Sequence, residues 1–155
     1  MQNDKQEYKR ILSAVDGSES AEYALMKAIE IALRNHSELI ITHAIDTHVY
    51  TMGEPALYFD DIDFDTSEIE KKLAEYKHRA ASAGVEKVTI DLTKGNPKTV
   101  LSKELPRKYH ADLIVVGQTG LNAIERWMIG SVSEQIIRAA PCDVLIVRNE
   151  EENEE

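Results

Sequence analysis

Three glycines and a serine lie close together in the second half of the chain, with a spacing that suits a bound phosphate. They form the pattern Gly117-x2-Gly120-x9-Gly130-Ser131. Glycine is needed where backbone must approach a ligand more closely than a side chain permits, and a helical pattern begins after Gly130. The free N–H groups at a helix N-terminus attract anions. The pattern therefore predicts a phosphate site, although turn glycines and a Ser131–Glu134 capping box would give the same residues a purely structural role.

An aspartate, Asp16, ends the first apolar run of the chain and is followed by Gly17-Ser18. Removing a carboxylate from water at the end of a buried strand is unfavourable unless a hydrogen-bond donor or a metal ion pairs with it. A ribose hydroxyl or a metal ion would satisfy Asp16 in this way. The competing interpretation is that Asp16 is the N-cap of the helix that follows.

Short apolar runs alternate with segments of helical periodicity along the chain, which indicates an α/β fold. Pro106 is predicted to end or kink the third helix, because proline lacks the amide hydrogen that a helix interior requires. The runs predict strands at 11–15, 39–45, 88–92, 113–116 and 144–147, and the apolar spacing predicts helices at 21–33, 69–83, 96–105 and 132–140.

Repeated βαβ units require parallel strands joined by right-handed crossovers. The expected fold class is therefore α/β, with a single-domain, open, five-stranded parallel sheet and helices on both faces. In such Rossmann-like sheets, ligands bind beyond the carboxyl ends of the strands, where the strand order reverses. The search for a site is thus directed to the residues that follow each strand, among them Asp16 and Gly117.

Composition and charge restrict the class of function. The chain has 155 residues, a formal net charge of −10 and one cysteine, so an internal disulfide is excluded and generic binding to nucleic acid is not expected. No apolar run approaches the length of a membrane span and residues 1–10 are polar, so we expect a cytoplasmic protein without membrane contact. Five of the 28 acidic residues lie at positions 150–155. We therefore divide the chain into one domain, 1–148, and a disordered acidic tail, 149–155.

Other residues with reactive or ligating side chains do not form recognisable sites. The alternating Asp61, Asp63 and Asp65 lack the glycine and the glutamate of a calcium loop. His43 is interpreted as a hydrogen-bonded core histidine, and Cys142 as a packing residue. No G-x4-G-K-S/T pattern occurs, so the lysine of a P-loop hydrolase is missing.

The glycine pattern, taken with the rest of the sequence, resembles the universal stress proteins. The pattern is similar to the G-x2-G-x9-G-S/T signature of the ATP-binding branch of that family. The resemblance covers nearly the whole chain, and it includes the segments 9–18, 43–45, 111–117 and 141–147. It implies the strand order 3-2-1-4-5 and an adenine nucleotide with Mg²⁺ as the ligand.

The resemblance also implies a role for individual residues, and no catalytic residue among them. Asp16 would bind the ribose or help to hold a phosphate-bound Mg²⁺, and the main chain of Ala44 would contact the adenine. Gln118 and Thr119 replace a pair that often carries a basic or histidine side chain, so a direct charge on the phosphates is missing there. The implied nucleotide-binding residues are Ala14, Val15, Asp16, Ala44, Val116, Gly117, Thr119, Gly120, Leu121, Asn122, Gly130, Ser131 and Val132.

The fifth strand is expected to join two copies of the chain. In the implied order it lies at an edge of the sheet, yet it is apolar on both faces, and such an edge invites pairing. Antiparallel pairing of two copies through Val144, Leu145, Ile146 and Val147 would form a homodimer. The function expected from the resemblance is that of an ATP-binding regulatory protein of the stress response, with at most slow hydrolysis. The alternative is a dimeric interaction module of the same fold that needs no nucleotide.

Overall fold

The computed structural model describes residues 7–47, 65–119 and 128–148. These residues form one sheet of five strands, in which every neighbouring pair is parallel. The order is β3-β2-β1-β4-β5, so the predicted fold class and strand order are confirmed. The strands are β1 (Arg10–Ala14), β2 (Glu38–Asp46), β3 (Val88–Gly95), β4 (Leu113–Gly117) and β5 (Asp143–Val147).

Two long helices cover one face of the sheet. They are α1 (Glu19–Asn35) and α2 (Ser67–Ala83), which lie among the buried apolar side chains of that face. Their inner faces are rich in alanine, and Ala24, Ala28 and Ala80 are fully buried, so helix and sheet backbones approach closely. Gly84 ends α2 as its C-cap at φ +115°, a conformation that a side chain disfavours.

Shorter helices cover the second face of the sheet. The segment after β3 consists of α3 (Pro97–Thr99), a π-helical turn (Val100–Glu104) and α4 (Leu105–Lys108), and α5 (Ser131–Ala139) follows β4. Asn96 caps α3 through a hydrogen bond from the Lys98 N–H at 3.0 Å. Pro106 does not end this segment, which remains helical to Lys108. A wider π turn precedes it instead, next to the position where proline provides no amide hydrogen.

The reversal of strand order places the ends of β1 and β4 side by side. β1 pairs with β2 on one side and with β4 on the other, with Ser13 opposite Ile41 and Val115. α1 leaves β1 toward the first face and α5 follows β4 on the second, and in open α/β sheets this is the arrangement that forms a ligand-binding crevice. Within the described residues, none of the helices combines the length and the apolarity that crossing a bilayer requires.

Candidate functional site

Asp16 forms a tight turn at the carboxyl end of β1. Its Oδ1 accepts hydrogen bonds from the Ser18 N–H at 2.9 Å and from Ser18 Oγ at 2.5 Å. Ser18 Oγ in turn accepts the Ala21 N–H at 3.1 Å, so Ser18 is the N-cap of α1. The interpretation of Asp16 as that N-cap is therefore wrong. Among the described residues, Asp16 Oδ2 accepts no hydrogen bond, and this half-buried oxygen remains available for a ligand.

Val15, the residue before Asp16, forms two hydrogen bonds with residues of β2. The Val15 N–H donates to the Thr42 carbonyl at 2.8 Å. The Val15 carbonyl lies 2.8 Å from His43 Nδ1, and because a carbonyl oxygen only accepts, this nitrogen carries the proton. His43 is thus hydrogen-bonded, as the sequence predicted, but it is half-buried and not a core residue.

Gly117 is required by packing between β4 and α1. A Cβ atom at this position would lie 2.4 Å from Ser20 Oγ and 2.8 Å from the Ser20 backbone, far inside contact distance. The Gly117 carbonyl accepts a hydrogen bond from Ser133 Oγ at 2.8 Å. The end of β4 is therefore held between α1 and α5, and the close approach that this glycine permits is to a helix of the same chain.

A backbone hydrogen bond connects the residue before α5 to the residue after β4. The Gly130 N–H donates to the Gln118 carbonyl at 2.8 Å, which joins the start of α5 to the end of β4. Gly130 is the N-cap and provides no side-chain bond, and the carboxylate of Glu134 pairs with Arg138 at 2.8 Å. The capping box expected under the alternative interpretation is therefore absent, and Ser131 is an exposed residue of the first turn.

The first-turn amides of α5 have no partners inside their own helix, as in every helix. In the described part of the chain no side chain caps them. The positive end of the α5 dipole therefore lies at the carboxyl edge of the sheet, the same edge at which Asp16 forms its turn after the neighbouring strand.

The structure brings most of the predicted binding residues to one edge of the sheet. The ends of β1, β2 and β4, and the start of α5, all lie at the carboxyl edge because the strands are parallel. Ser20 and Ser133 could not be predicted from the sequence, since nothing in their spacing shows that they contact Gly117. The residues at this edge are Ala14, Val15, Asp16, Ala44, Val116, Gly117, Thr119, Gly130, Ser131 and Val132. Gly120, Leu121 and Asn122 lie outside the described residues, as do Asp61, Asp63 and the tail at 149–155.

Two further observations concern other kinds of chemistry, and the first is at Cys142, which precedes β5 at the opposite, amino edge of the sheet. Burial, with Asp112 and Asp143 nearby, raises the pKa of the Cys142 thiol to about 11, so Cys142 is not an activated nucleophile. Among the described residues, no three His, Cys, Asp or Glu side chains cluster as they would to hold a metal ion. The free Oδ2 of Asp16 is an oxygen donor of the type that divalent cations bind.

Comparison with known proteins gives consistent similarities. A model of the universal stress protein family matches residues 7–148. A Staphylococcus aureus protein named for that family is 45% identical over 149 residues, which cover 93% of this chain and 86% of the relative. The solved structure of the universal stress protein UspA from Lactobacillus plantarum is 26% identical, with a TM-score of 0.79, over 92% of this chain and 99% of that one. A universal stress protein crystallised in complex with cAMP is 30% identical, with a TM-score of 0.69, over 92% and 98%.

Proposed function

Because this chain belongs to the universal stress protein family, we propose that it binds an adenine nucleotide, ATP with Mg²⁺, in the crevice between β1 and β4. The bound nucleotide would regulate contacts with partner proteins in the stress response. The observation that carries the proposal is the uncapped N-terminus of α5, which the Gly130–Gln118 bond joins to the end of β4, next to the Asp16 turn.

Each part of a nucleotide has a group that suits it. The free oxygen of Asp16 can accept a ribose hydroxyl or assist a phosphate-bound Mg²⁺. The first-turn amides at Ser131 and Val132 can donate to phosphate oxygens without any basic side chain. This mode of binding suits an acidic chain, because backbone donors do not depend on net charge. The complex of a relative with cAMP supports the adenine nucleotide class.

The proposal does not include rapid catalysis. The sequence has no P-loop lysine to stabilise charge on the terminal phosphates. The alternative, an interaction module that needs no nucleotide, assumed that Ser131 and Glu134 satisfy the helix N-terminus themselves. Since Glu134 pairs with Arg138 and Gly130 is the N-cap, that assumption no longer supports the alternative.

Calorimetric titration with Mg-ATP tests the proposal, and the first residue of α5 offers a clean variant. Ser131→Glu places a negative charge where phosphates would bind, and we expect ATP affinity to fall at least about tenfold. The helix itself tolerates the change, since acidic residues are favourable in a first turn. Gly117 is a poor site for such a test, because any Cβ there clashes with Ser20 and disturbs the fold.

Two control variants show whether the loss of ATP affinity in Ser131→Glu is caused by the added charge. Ser82→Glu adds the same charge at an exposed position of α2 and should retain the affinity of the unmodified protein. Ser131→Gln adds the same bulk without charge, and its affinity should lie between the two. Absence of binding at millimolar Mg-ATP by the unmodified protein would contradict the proposed function and favour the interaction module.

A further inference from the structure

The hydrogen-bond ladder between β1 and β2 stops abruptly at the proposed site. Its last pair is Ala14 with Thr42, and the Val15 N–H completes that pair by donating to the Thr42 carbonyl. In a continuous parallel ladder the next bond would run from the Ala44 N–H to the Val15 carbonyl. Within the described residues this bond is not made, and the Val15 carbonyl is instead bonded by the side chain of His43 at 2.8 Å.

Because the His43 side chain, and not the Ala44 N–H, bonds the Val15 carbonyl, the backbone groups of Ala44 make no ladder bond. The Thr42 carbonyl points toward β1, and the backbone groups of Ala44, two residues further along β2, point to the same side. Among the described residues, neither the N–H nor the carbonyl of Ala44 has a partner there. Ala44 is half-buried, and backbone groups in such positions require a partner. The pair offers one donor and one acceptor next to the Asp16 turn.

We infer that His43 is a positioning residue for recognition of the nucleotide base. By bonding the Val15 carbonyl, it holds this oxygen in an orientation in which it does not accept the Ala44 N–H. The Ala44 N–H and carbonyl are then left for an edge that presents an acceptor beside a donor. The N1 and N6 positions of adenine form such an edge. The inference rests on the proposed function, and it extends that function by assigning base selection to a residue that does not itself contact the base.

Three forms of the protein test the role of His43. His43→Leu removes the donor, so the Val15 carbonyl becomes free to accept the Ala44 N–H and the ladder extends by one bond. His43→Asn keeps an N–H donor close to the position of Nδ1 and should restore the original arrangement. His78→Leu makes the same substitution at an exposed position of α2 and serves as the matched control.

Amide hydrogen exchange followed by NMR in the nucleotide-free protein reports on the ladder itself. In the unmodified protein, the Ala44 amide should exchange at least about tenfold faster than the Thr42 amide, which lies inside the ladder. His43→Leu should slow exchange at Ala44 toward the Thr42 value, whereas His43→Asn and His78→Leu should leave it fast. An Ala44 amide that is equally protected in all four proteins overturns the inference.

Titration with Mg-ATP and Mg-GTP tests whether His43 affects nucleotide affinity and the preference for adenine. The unmodified protein should prefer ATP, and His43→Leu should lose about tenfold in ATP affinity and most of that preference, with recovery in His43→Asn. Unchanged ATP affinity and preference in His43→Leu overturn the inference alone. If the unmodified protein binds no nucleotide, the proposed function is overturned and the base-recognition role with it.

Discussion

The serine hydroxyl groups around the sheet have different roles, because each one lies near different backbone groups. Ser18 Oγ caps α1 and Ser133 Oγ bonds the Gly117 carbonyl. Ser102 Oγ bonds the Lys98 carbonyl inside the third helical segment. Ser13, in the centre of β1, is fully buried, and its Oγ is the one buried side-chain nitrogen or oxygen of the described residues without a hydrogen bond. A buried hydroxyl without a partner destabilises the folded state.

Ser13→Ala is therefore expected to stabilise the protein. Removing the unsatisfied oxygen should raise the free energy of unfolding by about 1 kcal/mol, or the melting temperature by about 3 °C. Ser102→Ala removes a hydroxyl that is buried to the same degree but bonded, so it should lower stability by a similar amount. Urea unfolding of the three proteins measures both effects. A loss of stability in Ser13→Ala would show that its hydroxyl has a favourable interaction.

At the scale of elements, a buried carboxylate joins β3 to the strand beside it and to the segment after α4. Asp91 Oδ1 accepts Thr93 Oγ1 at 2.6 Å and Thr42 Oγ1 at 3.2 Å, and its Oδ2 accepts the Tyr109 hydroxyl at 2.5 Å. Lys108 Nζ lies 3.5 Å from the same Oδ2. Burial opposes ionisation, yet these hydrogen bonds and the ammonium hold the pKa of the Asp91 carboxyl below its usual value. The ionised form is therefore the one that the fold stabilises.

Asp91→Asn should lower the free energy of unfolding by about 2 kcal/mol at pH 7, because charge-assisted hydrogen bonds are lost. A lowered folded pKa contributes stability that is fully present above the unfolded value of about 3.9 and is lost as the pH falls through the folded pKa. The difference in the free energy of unfolding between Asp91→Asn and the unmodified protein should thus begin to decrease below about pH 5. Urea unfolding between pH 7 and pH 3.5 measures it.

Asp65 provides the control for this titration. Its carboxylate also has a lowered pKa, through hydrogen bonds from Ser67, but it is fully exposed. Asp65→Asn should leave the unfolding midpoint close to that of the unmodified protein at every pH. If the difference in the free energy of unfolding between Asp91→Asn and the unmodified protein is constant with pH, the geometry of the Asp91 hydrogen bonds, and not the charge of its carboxylate, stabilises the fold.

At the scale of the whole molecule, the two edges of the sheet differ in character. β5 is an edge strand, as predicted, and Val144, Leu145 and Ile146 are only half-buried in the single chain. On the neighbouring α5, Ile137 is 48% exposed. The opposite edge strand, β3, alternates apolar and polar residues and exposes Ile90. We propose that two copies pair through β5, because an apolar edge is stabilised by pairing.

Leu145→Lys should convert a dimer into a monomer, because a charged residue on an edge strand opposes pairing. Ile90→Lys introduces the same charge on the other edge strand, at a more exposed position, and should leave the dimer intact. Sedimentation velocity measures the mass of each form, and thermal unfolding checks that both variants fold. A monomeric unmodified protein, or a dimer that persists in Leu145→Lys and dissociates in Ile90→Lys, would contradict pairing through β5.

Much of this architecture could be predicted from the sequence because periodicity is a local property. The strand at 113–116, the helix at 132–140 and the helix start near position 96 each depend on neighbours within a few positions, and each is present in the structure. The same argument located Asp16 and Ser131 at the carboxyl edge of the sheet, where open parallel sheets in general bind ligands, since parallel strands place their ends together. The π turn before Pro106 was missed because a kink and a wider turn are alternative responses to the same missing amide hydrogen.

By itself, the sequence determined the fold class and the residue types at the edge of the sheet where we propose the site. Only the tertiary structure decided what each of those residues does. Gly117 is packed against Ser20, Ser18 replaces Asp16 as the cap of α1, and His43 bonds Val15 across 28 positions. These roles depend on distances between segments that are remote in the chain, and such distances arise only when helices and strands pack together.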